Sequence, residues 1–293
     1  MKKISISSWA IPQPLNELCA GAKKIGYDGI SLGGFPPFGA HPDIVDTPEK
    51  KAALVKIFKD NGLEVADYAL DMWKYDSLKQ TAEWRAEYTR ALKCAADLGL
   101  TKIMRVDTCT PPILPEGMTY DEVKAFFVKH FTEMADEAAE YGFDVVWEFE
   151  PGFMINEPKN VKWILDHVTA PNFSLLFDTC HAYNCALGHR HIEAGCKLEG
   201  SVNEFIDMVA GRIGLVHLID CDGTLNDTGT STHAPFGDGN IDFDSVIPHL
   251  LNEGGYKGDW WAIDLCEWPN AWAVTEDCFK FVDALNKKYC KDC

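Results

Sequence analysis

The sequence predicts an α/β fold in which eight parallel strands, each followed by a helix, close into a single (β/α)8 barrel. Short, continuously apolar runs alternate with longer amphipathic stretches eight times, which is typical of a parallel sheet covered by helices. The length of 293 residues suits such a barrel, which commonly needs roughly 250 residues. A doubly wound open sheet is the alternative. Open sheets that bind dinucleotides carry a glycine-rich phosphate loop after the first strand. Here that segment reads SWAIP, which disfavours such a fold.

The first half of the chain predicts four strands and the three helices between them. The strands are expected at residues 4–9, 30–32, 63–70 and 102–106, and the helices at residues 15–25, 48–61 and 78–98. Pro48 stands at the first position of the second helix, where a missing N–H is tolerated. Gly62 and Gly99 follow the second and third helices and end them.

The second half repeats the alternation. Strands are expected at residues 143–150, 174–177, 214–218 and 260–265, and helices at residues 120–142, 159–168, 202–210, 243–252 and 276–289. The chain thus predicts eight strands and eight helices. No stretch has the composition of a linker, so residues 1–293 are expected to form one domain.

Composition excludes several classes of function. The formal charge is 27 − 45 = −18, and so acidic a surface disfavours nucleic acid and anionic membranes as partners. No run approaches the roughly 20 apolar residues of a membrane span. The first residues, MKKISIS, lack the apolar stretch of a signal peptide, which predicts a cytoplasmic protein. The 11 cysteines are odd in number and irregularly spaced, as expected of small buried hydrophobes in a reducing compartment.

Polar side chains stand at or near the ends of the last four predicted strands, at the end of the barrel where such enzymes carry their active sites. Taken alone, a carboxylate at this position often caps a helix, and a histidine within a strand is often a core residue. Four neighbouring strands that all end this way are different, because burying several uncompensated carboxylates is costly. One divalent cation would satisfy a set of four side chains: Glu150, Asp178, His217 and Asp264.

Two positions in this set have competitors. Glu148 and Glu150 lie two residues apart and point to the same face of the fifth strand. Glu150 is preferred as the ligand because it is nearer the mouth of the barrel. On the eighth strand Asp264 competes with Glu267, and Asp264 is preferred because it ends the apolar run. Oxygen and nitrogen ligands without thiolate favour manganese, with magnesium, cobalt or zinc as alternatives.

Five segments together resemble the xylose-isomerase-like TIM barrels, the family of sugar phosphate isomerases, epimerases and type 2 apurinic endonucleases. Residues 26–30 read GYDGI, like the start of the family's second strand, and residues 255–258 read GYKG, like the approach to its eighth. Residues 178–181 match its D-T-x-H segment, and residues 217–220 its H-x-x-D segment. Residues 237–242 resemble its G-x-G-x-I-D turn. The matching segments span most of the chain.

The resemblance implies a metal set of Glu, Asp, His and Glu, which maps onto Glu150, Asp178, His217 and Asp264. The last is a departure, since an aspartate stands where the family usually has glutamate. In the isomerases the histidine at the position of His181 contacts substrate. The endonuclease branch binds three zinc ions through further histidines, but residues 71–73 at the end of the third strand read DMW. Together with the charge of −18, this makes DNA repair an improbable activity.

The chemistry that the resemblance implies is metal-assisted enolisation of a sugar. The cation polarises a carbonyl, and a carboxylate moves the adjacent proton. We expect Glu150 or Glu148 to act on one side of the substrate and Asp264 on the other, with His181 as a further catalytic residue. The expected substrate-binding residues are His181, His233, Trp9, Asp71, Arg105 and Trp268.

Few basic residues lie near the expected mouth, which favours a non-phosphorylated sugar or sugar derivative. An aromatic-rich mouth also suits a lyase that eliminates the aglycone from a 3-oxo-glycoside, as C-glycoside deglycosidases do, and this is the first alternative. A non-catalytic sugar-binding module is the second. A homo-oligomer or an accessory subunit could complete the pocket.

Overall fold

Eight parallel strands follow one another around a closed barrel, in which β8 pairs back onto β1. The computed structural model describes residues 1–35, 39–70, 74–193 and 195–290. The strands are β1 Lys3–Ser7, β2 Gly29–Gly33, β3 Glu64–Ala69, β4 Ile103–Val106, β5 Asp144–Glu148, β6 Phe173–Asp178, β7 Ile213–Leu218 and β8 Trp260–Ile263. This confirms the predicted (β/α)8 barrel.

Nine helices surround the barrel in the described part of the chain, one more than the sequence predicts. They are α1 Leu15–Ile25, α2 Pro48–Asn61, α3 Thr81–Leu98, α4 Tyr120–Glu140, α5 Pro158–His167, α6 Thr179–Leu187, α7 Ser201–Met208, α8 Phe243–Asn252 and α9 Ala271–Tyr289. The expectation of eight helices was wrong because it omitted α6. This helix follows β6 without a loop, and seven of its nine residues are buried, so its sequence carries no amphipathic period.

Several strands are shorter than predicted at their carboxyl ends, which form the mouth of the barrel. The first strand stops at Ser7, and Trp9 lies in a short 3-10 turn. The fifth stops at Glu148, and the eighth at Ile263. Apolar runs continue past these ends because the loops at the mouth are themselves buried. Periodicity therefore places the strands but not the points where the chain leaves the sheet.

The strands contribute to two apolar clusters, one between the barrel and the helices and one in the lower interior of the barrel. Outward-facing strand residues pack against the helices in one large core. A smaller cluster fills the lower interior and includes Val146, Leu176 and Leu215. Side chains alternate along a strand, so the next inward residues lie one layer higher. Those residues belong to β5, β6 and β7 in turn: Glu148, Asp178 and His217.

No helix in the described ranges is long and apolar enough to cross a membrane. The ten cysteines in those ranges are free thiols, and eight of them are buried.

Candidate metal centre

Four buried side chains from four consecutive strand ends meet at the mouth of the barrel. Glu148, Asp178, His217 and Asp264 each offer one ligand atom, and these atoms all lie within 4.8 Å of one another. The Nδ1 atom of His217 is 3.1 Å from Oε1 of Glu148, 3.7 Å from Oδ2 of Asp178 and 3.4 Å from Oδ2 of Asp264. A single small ion could contact all four.

The geometry favours Glu148 over the expected Glu150 as the ligand of the fifth strand. Glu148 is the last residue of β5, one layer above Val146, and it faces the other three donors. Glu150 has left the strand and lines the pocket above. On the eighth strand the preference for Asp264 over Glu267 agrees with the geometry, because Glu267 lies on the pocket wall outside the cluster.

The atoms that face one another suit a divalent metal. Oε1 of Glu148, Oδ2 of Asp178 and both ring nitrogens of His217 are buried and have no hydrogen-bond partner among the described residues. Burial alone would lower the pKa of His217, but Glu148 and Asp264 raise it to about 10. In the protein without metal, an imidazolium proton thus supplies the positive charge that three carboxylates require. A divalent cation would replace that proton, since a histidine ligand must be neutral.

The remaining carboxylate oxygens are held by the protein. The Arg105 guanidinium donates to Oε2 of Glu148. Burial opposes ionisation of Glu148, but the charges of Arg105 and His217 outweigh it and lower its pKa. Oδ1 of Asp264 accepts the indole N–H of Trp9 at 3.0 Å and the backbone N–H of Cys266 at 3.1 Å. These contacts aim one oxygen of each carboxylate at the centre.

Asp178 combines two roles that the sequence does not separate. Its Oδ1 atom accepts the backbone N–H of His181 at 2.8 Å and so caps α6, while Oδ2 faces the cluster. The first residue of the D-T-x-H segment therefore ends β6, caps α6 and contributes a donor to the cluster. Thr179 fixes the neighbouring strand, because its hydroxyl donates to the carbonyl of Ile219 at 2.7 Å.

A cavity of about 400 Å³ opens at the mouth of the barrel, and of the four donors Asp264 lines it. Glu150 lines it and accepts a hydrogen bond from the Thr230 hydroxyl at 2.6 Å through Oε2. Its other oxygen, Oε1, is buried and has no hydrogen-bond partner in the described part of the chain. Burial raises the pKa of Glu150 well above its usual range. The Glu150 carboxyl thus lines the pocket with Oε1 buried against Gly152, where a Cβ atom would lie 2.6 Å from it.

Two histidines stand beside Glu150. The Nε2 atom of His181 is 3.5 Å from Oε2 of Glu150, and its Nδ1 atom is 2.9 Å from the Ser231 hydroxyl. Burial lowers the pKa of His181 to about 4, so the ring is neutral near pH 7. His233 lies with its ring centroid 4.8 Å from that of His181. Its Nδ1 atom is 3.1 Å from the carbonyl of Asp264, and its buried Nε2 atom lacks a partner among the described residues.

The segment that carries Thr230, Ser231 and His233 is fixed by one buried carboxylate. Asp220 accepts backbone N–H groups from both ends of this long loop, at distances of 2.8 to 3.2 Å. The donors are Cys221, Gly237, Gly239 and Ile241. A Cβ atom at position 239 would lie 2.3 Å from Oδ1 of Asp220, which explains the glycine. The H-x-x-D and G-x-G-x-I-D segments are thus two halves of one loop anchor.

The cavity lining also includes three further expected substrate-binding residues, of which two are aromatic. Trp9, Arg105 and Trp268 all line the cavity, with Phe35 beside Trp9 at a ring-centroid distance of 6.1 Å. Arg105 lies 5.2 Å from the Trp9 ring centroid, a cation–π distance. Asp71, the other expected contact, lies outside the described residues.

Not every aromatic residue near a strand end belongs to the pocket. Trp147 points outward from β5 and packs on Phe131 and Phe173 in the core between barrel and helices. Polar residues that were not predicted also line the cavity, chiefly Thr230 and Ser231. Their hydroxyl-rich segment, TGTST, stands immediately before His233, which is the one signal that could have indicated them.

Two other groups of potential ligands are less suitable for a metal. Asp178, His181 and His233 share Asp178 with the first cluster. The other group consists of Glu157, Glu193 and Cys196 and shares no residue with the four donors. There Glu157 accepts hydrogen bonds from the backbone of Glu193 and from Asn160, and Lys159 pairs with Glu193 at 3.1 Å. Its charges are already compensated by the protein.

Comparison with known proteins places these features in a family context. A family model described as the xylose isomerase-like TIM barrel matches residues 19–278. A curated relative, the probable endonuclease 4 of Methanoculleus marisnigri, is 34% identical over 93 residues, which are 31% of this chain and 32% of that protein. The match with this relative thus spans only about a third of either protein.

Solved structures share the whole fold. The IolI protein with a bound zinc atom is similar with a TM-score of 0.73 and 21% identity, over 98% of this chain and 99% of that one. The 3-keto-D-glucoside 4-epimerase of E. coli is similar with a TM-score of 0.69 and 18% identity, over 97% of this chain and 100% of that one. At these identities the likeness establishes the common architecture.

Proposed function

We propose that this chain, which belongs to the xylose isomerase-like TIM-barrel family, is a divalent-metal-dependent isomerase or epimerase. Its substrate is a non-phosphorylated sugar or sugar derivative, and the reaction moves a proton on the carbon next to a carbonyl. The observation that carries this proposal is the meeting of four buried donors beside a pocket that the Glu150 carboxyl group lines. Sugar epimerases are among the solved structures that share the fold.

The donor set fits a hard or borderline cation. Glu148, Asp178 and Asp264 would supply oxygen and His217 nitrogen, with manganese the first choice and magnesium, cobalt or zinc as alternatives. Bound there, the cation would polarise the substrate carbonyl and make the neighbouring C–H more acidic.

Charge balance supports a neutral substrate. The three carboxylates of the cluster, the Arg105 guanidinium and a divalent cation sum to zero when His217 is neutral, and Asp107, 4.0 Å from Arg105, can only add negative charge. Arg105 is the only lysine or arginine among the described residues that line the cavity, and it is already paired with Glu148. A phosphate group would therefore find no free cation of the protein to bind.

The proton-transfer roles follow from where the carboxylates lie and which of their oxygens are engaged. We assign proton transfer to Glu150, because it lines the cavity beside His181 and lies outside the four metal donors. Asp264, expected to act as a base from the other side, has Oδ1 occupied by two N–H donors, and we assign it to the metal instead. His181 and His233 would bind substrate hydroxyls and carry the proton onward.

A second candidate function is the elimination of an aglycone from a 3-oxo-glycoside. The apolar wall formed by Trp9, Phe35 and Trp268 favours it, since the carbohydrate would occupy the polar end of the cavity and an aromatic substituent the apolar end. The same carboxyl group would remove the proton. A non-catalytic sugar-binding role would leave the unpaired oxygen of Glu150 without a use.

The test combines metal analysis with proton exchange. Purified protein should contain or take up one divalent ion per chain, and the His217→Ala variant should not. With a panel of ketoses and 3-oxo-glucosides in D2O, the wild type should introduce deuterium at one sugar carbon, and Glu150→Gln should not. Release of an aromatic aglycone would identify the lyase. A protein that binds no metal and exchanges no proton would contradict both activities.

A further inference from the structure

A buried aspartate beneath the metal centre has no role in the reaction proposed above. Asp67 lies on β3 and is 0% exposed. Neither of its carboxylate oxygens has a hydrogen-bond partner among the described residues. A buried carboxylate without partners is costly, so its position in the barrel calls for an explanation.

A β-bulge places Asp67 where it is. Ile30 of β2 pairs with Val65, but Leu32 pairs with Tyr68, so two residues of β3 lie opposite the single residue Ser31. Those two residues are Ala66, which joins the apolar cluster of the barrel interior, and Asp67. Bulges of this kind redirect a side chain and occur often beside active sites.

The surroundings of Asp67 identify the group that it serves. The Ser31 hydroxyl stands opposite, with the Ser5 hydroxyl 3.3 Å farther on. Burial raises the pKa of Asp67, and among its neighbours the charge of His217 opposes that effect most strongly. Asp67 stands on β3 and His217 on β7, which lie on opposite sides of the eight-strand barrel, so both side chains can reach its interior.

His217 needs an acceptor on that side. Its Nδ1 atom faces the three carboxylates, so its Nε2 atom points away from them. That atom is buried and has no partner in the described part of the chain. A histidine that binds metal through Nδ1 carries its proton on Nε2, and such protons are almost always given to a carboxylate, a carbonyl or a water.

We propose that Asp67 is a positioning residue that receives the Nε2–H of His217 through one buried water molecule. The link would fix the tautomer and the ring orientation in which Nδ1 faces the metal. The water would have three polar neighbours: the ring N–H, the Asp67 carboxylate and the Ser31 hydroxyl, as buried waters commonly do. This inference rests on the metal centre of the proposed function.

Metal affinity tests the proposal without recourse to activity. We would titrate metal-free protein with Mn²⁺ in a calorimeter. Asp67→Ala should weaken binding by about 10- to 100-fold, the usual effect of removing such a partner. Asp67→Asn keeps an acceptor oxygen but no charge, so its metal affinity should lie between those of Asp67→Ala and the wild type. Ser31→Ala removes one hydrogen bond of the water and should weaken binding by roughly fivefold.

The control is Val65→Ala, on the same strand but facing the outer core. It should lower the free energy of unfolding by about 1 kcal/mol or more and leave the metal affinity unchanged. If Asp67→Ala does not fold, Asp67→Asn and Ser31→Ala still give the graded loss that the proposal requires.

A spectroscopic measurement distinguishes positioning from general loosening. In zinc-loaded, ¹⁵N-histidine-labelled protein, the Nε2–H of His217 should exchange slowly with solvent. That signal should shift or disappear in Asp67→Ala and persist in Val65→Ala. Unchanged affinity and an unchanged signal in the Asp67 variants would overturn this inference and leave the metal centre standing. A wild type that binds no metal at His217 would instead defeat the proposed function itself.

Discussion

The two sides of the barrel mouth differ in chemistry although they share one architecture. From β4 to β8 every strand places an ionisable side chain at the upper interior: Arg105, Glu148, Asp178, His217 and Asp264. From β1 and β2 the inward positions are small or hydroxylic, and include Ser5, Ser7 and Ser31. The first side holds charge, and the second leaves space that Trp9 and Phe35 close from above.

This division explains how a barrel can bind an ion and a substrate at the same height. The charged side supplies converging donors and the guanidinium that balances them. The neutral side supplies a wall to which Trp9 and Phe35 contribute and which, in the described ranges, holds no carboxylate from β1 or β2. Asp67 is the exception on its side; it lies at the register shift between β2 and β3 and does not line the cavity.

The largest expected effect separates two glutamates that are two residues apart. Glu150→Gln should lower turnover by about 10²- to 10⁴-fold, the usual contribution of a proton-transfer group, while metal affinity stays within about threefold. Glu148→Gln should lose metal affinity and turnover together. Calorimetric titration and deuterium exchange into the sugar measure the two quantities.

Glu267→Gln, on the pocket wall but outside the cluster, is the matched control and should resemble the wild type. The division of roles is wrong if Glu150→Gln loses the metal and Glu148→Gln keeps it.

The next effect concerns the guanidinium on the charged side. Arg105→Met should destabilise the metal-free protein by about 3–5 kcal/mol, because it leaves the buried Glu148 carboxylate without its partner. Urea unfolding measures the change, and the double variant Arg105→Met with Glu148→Gln should recover much of it. The control, Arg85→Met, breaks a more exposed ion pair with Glu137 and should cost roughly 1 kcal/mol. Equal costs for the two arginines would contradict the account.

A smaller effect tests the contact between the two sides. Trp9→Phe keeps the ring stacking but removes the indole N–H that Asp264 accepts, so metal affinity should fall by roughly fivefold. Trp268→Phe alters the same wall without touching a donor of the cluster and should leave the affinity unchanged. Calorimetry on both variants decides whether Trp9 orients Asp264 or only closes the pocket.

The smallest effect belongs to the neutral side. Ser7 is buried, and its hydroxyl has no hydrogen-bond partner among the described residues. Ser7→Ala should therefore change the free energy of unfolding by less than about 1 kcal/mol and leave metal affinity as it is. A large loss of metal in this variant would show that the neutral side takes part in binding.

The sequence predicts the barrel well because strand and helix periods alternate eight times. Three of the four clustered residues, Asp178, His217 and Asp264, are also visible as polar residues that end apolar runs. The choice between Glu148 and Glu150 is not visible, because both point to the same face and only the level at which β5 ends separates them. The four donor atoms that meet belong to the layer above Val146, which favours Glu148.

Other features lack any local signal. Helix α6 is buried on almost every side, so its sequence does not alternate. Asp67 faces inward only because a bulge shifts the register between β2 and β3, and the sequence of neither strand indicates this shift. Thr230 and Ser231 reach the cavity because Asp220 ties both ends of their loop, a contact across the chain. Sequence periods describe elements, whereas these residues depend on how the elements meet.

One measurement tests the central claim most directly: a crystal of the protein soaked in Mn²⁺ and recorded for anomalous scattering. We expect one strong peak at the mouth, within bonding distance of Glu148, Asp178, Asp264 and Nδ1 of His217, with Glu150 outside the coordination sphere. No peak at these four residues, or a peak bound by Glu150 in place of Glu148, would contradict the account.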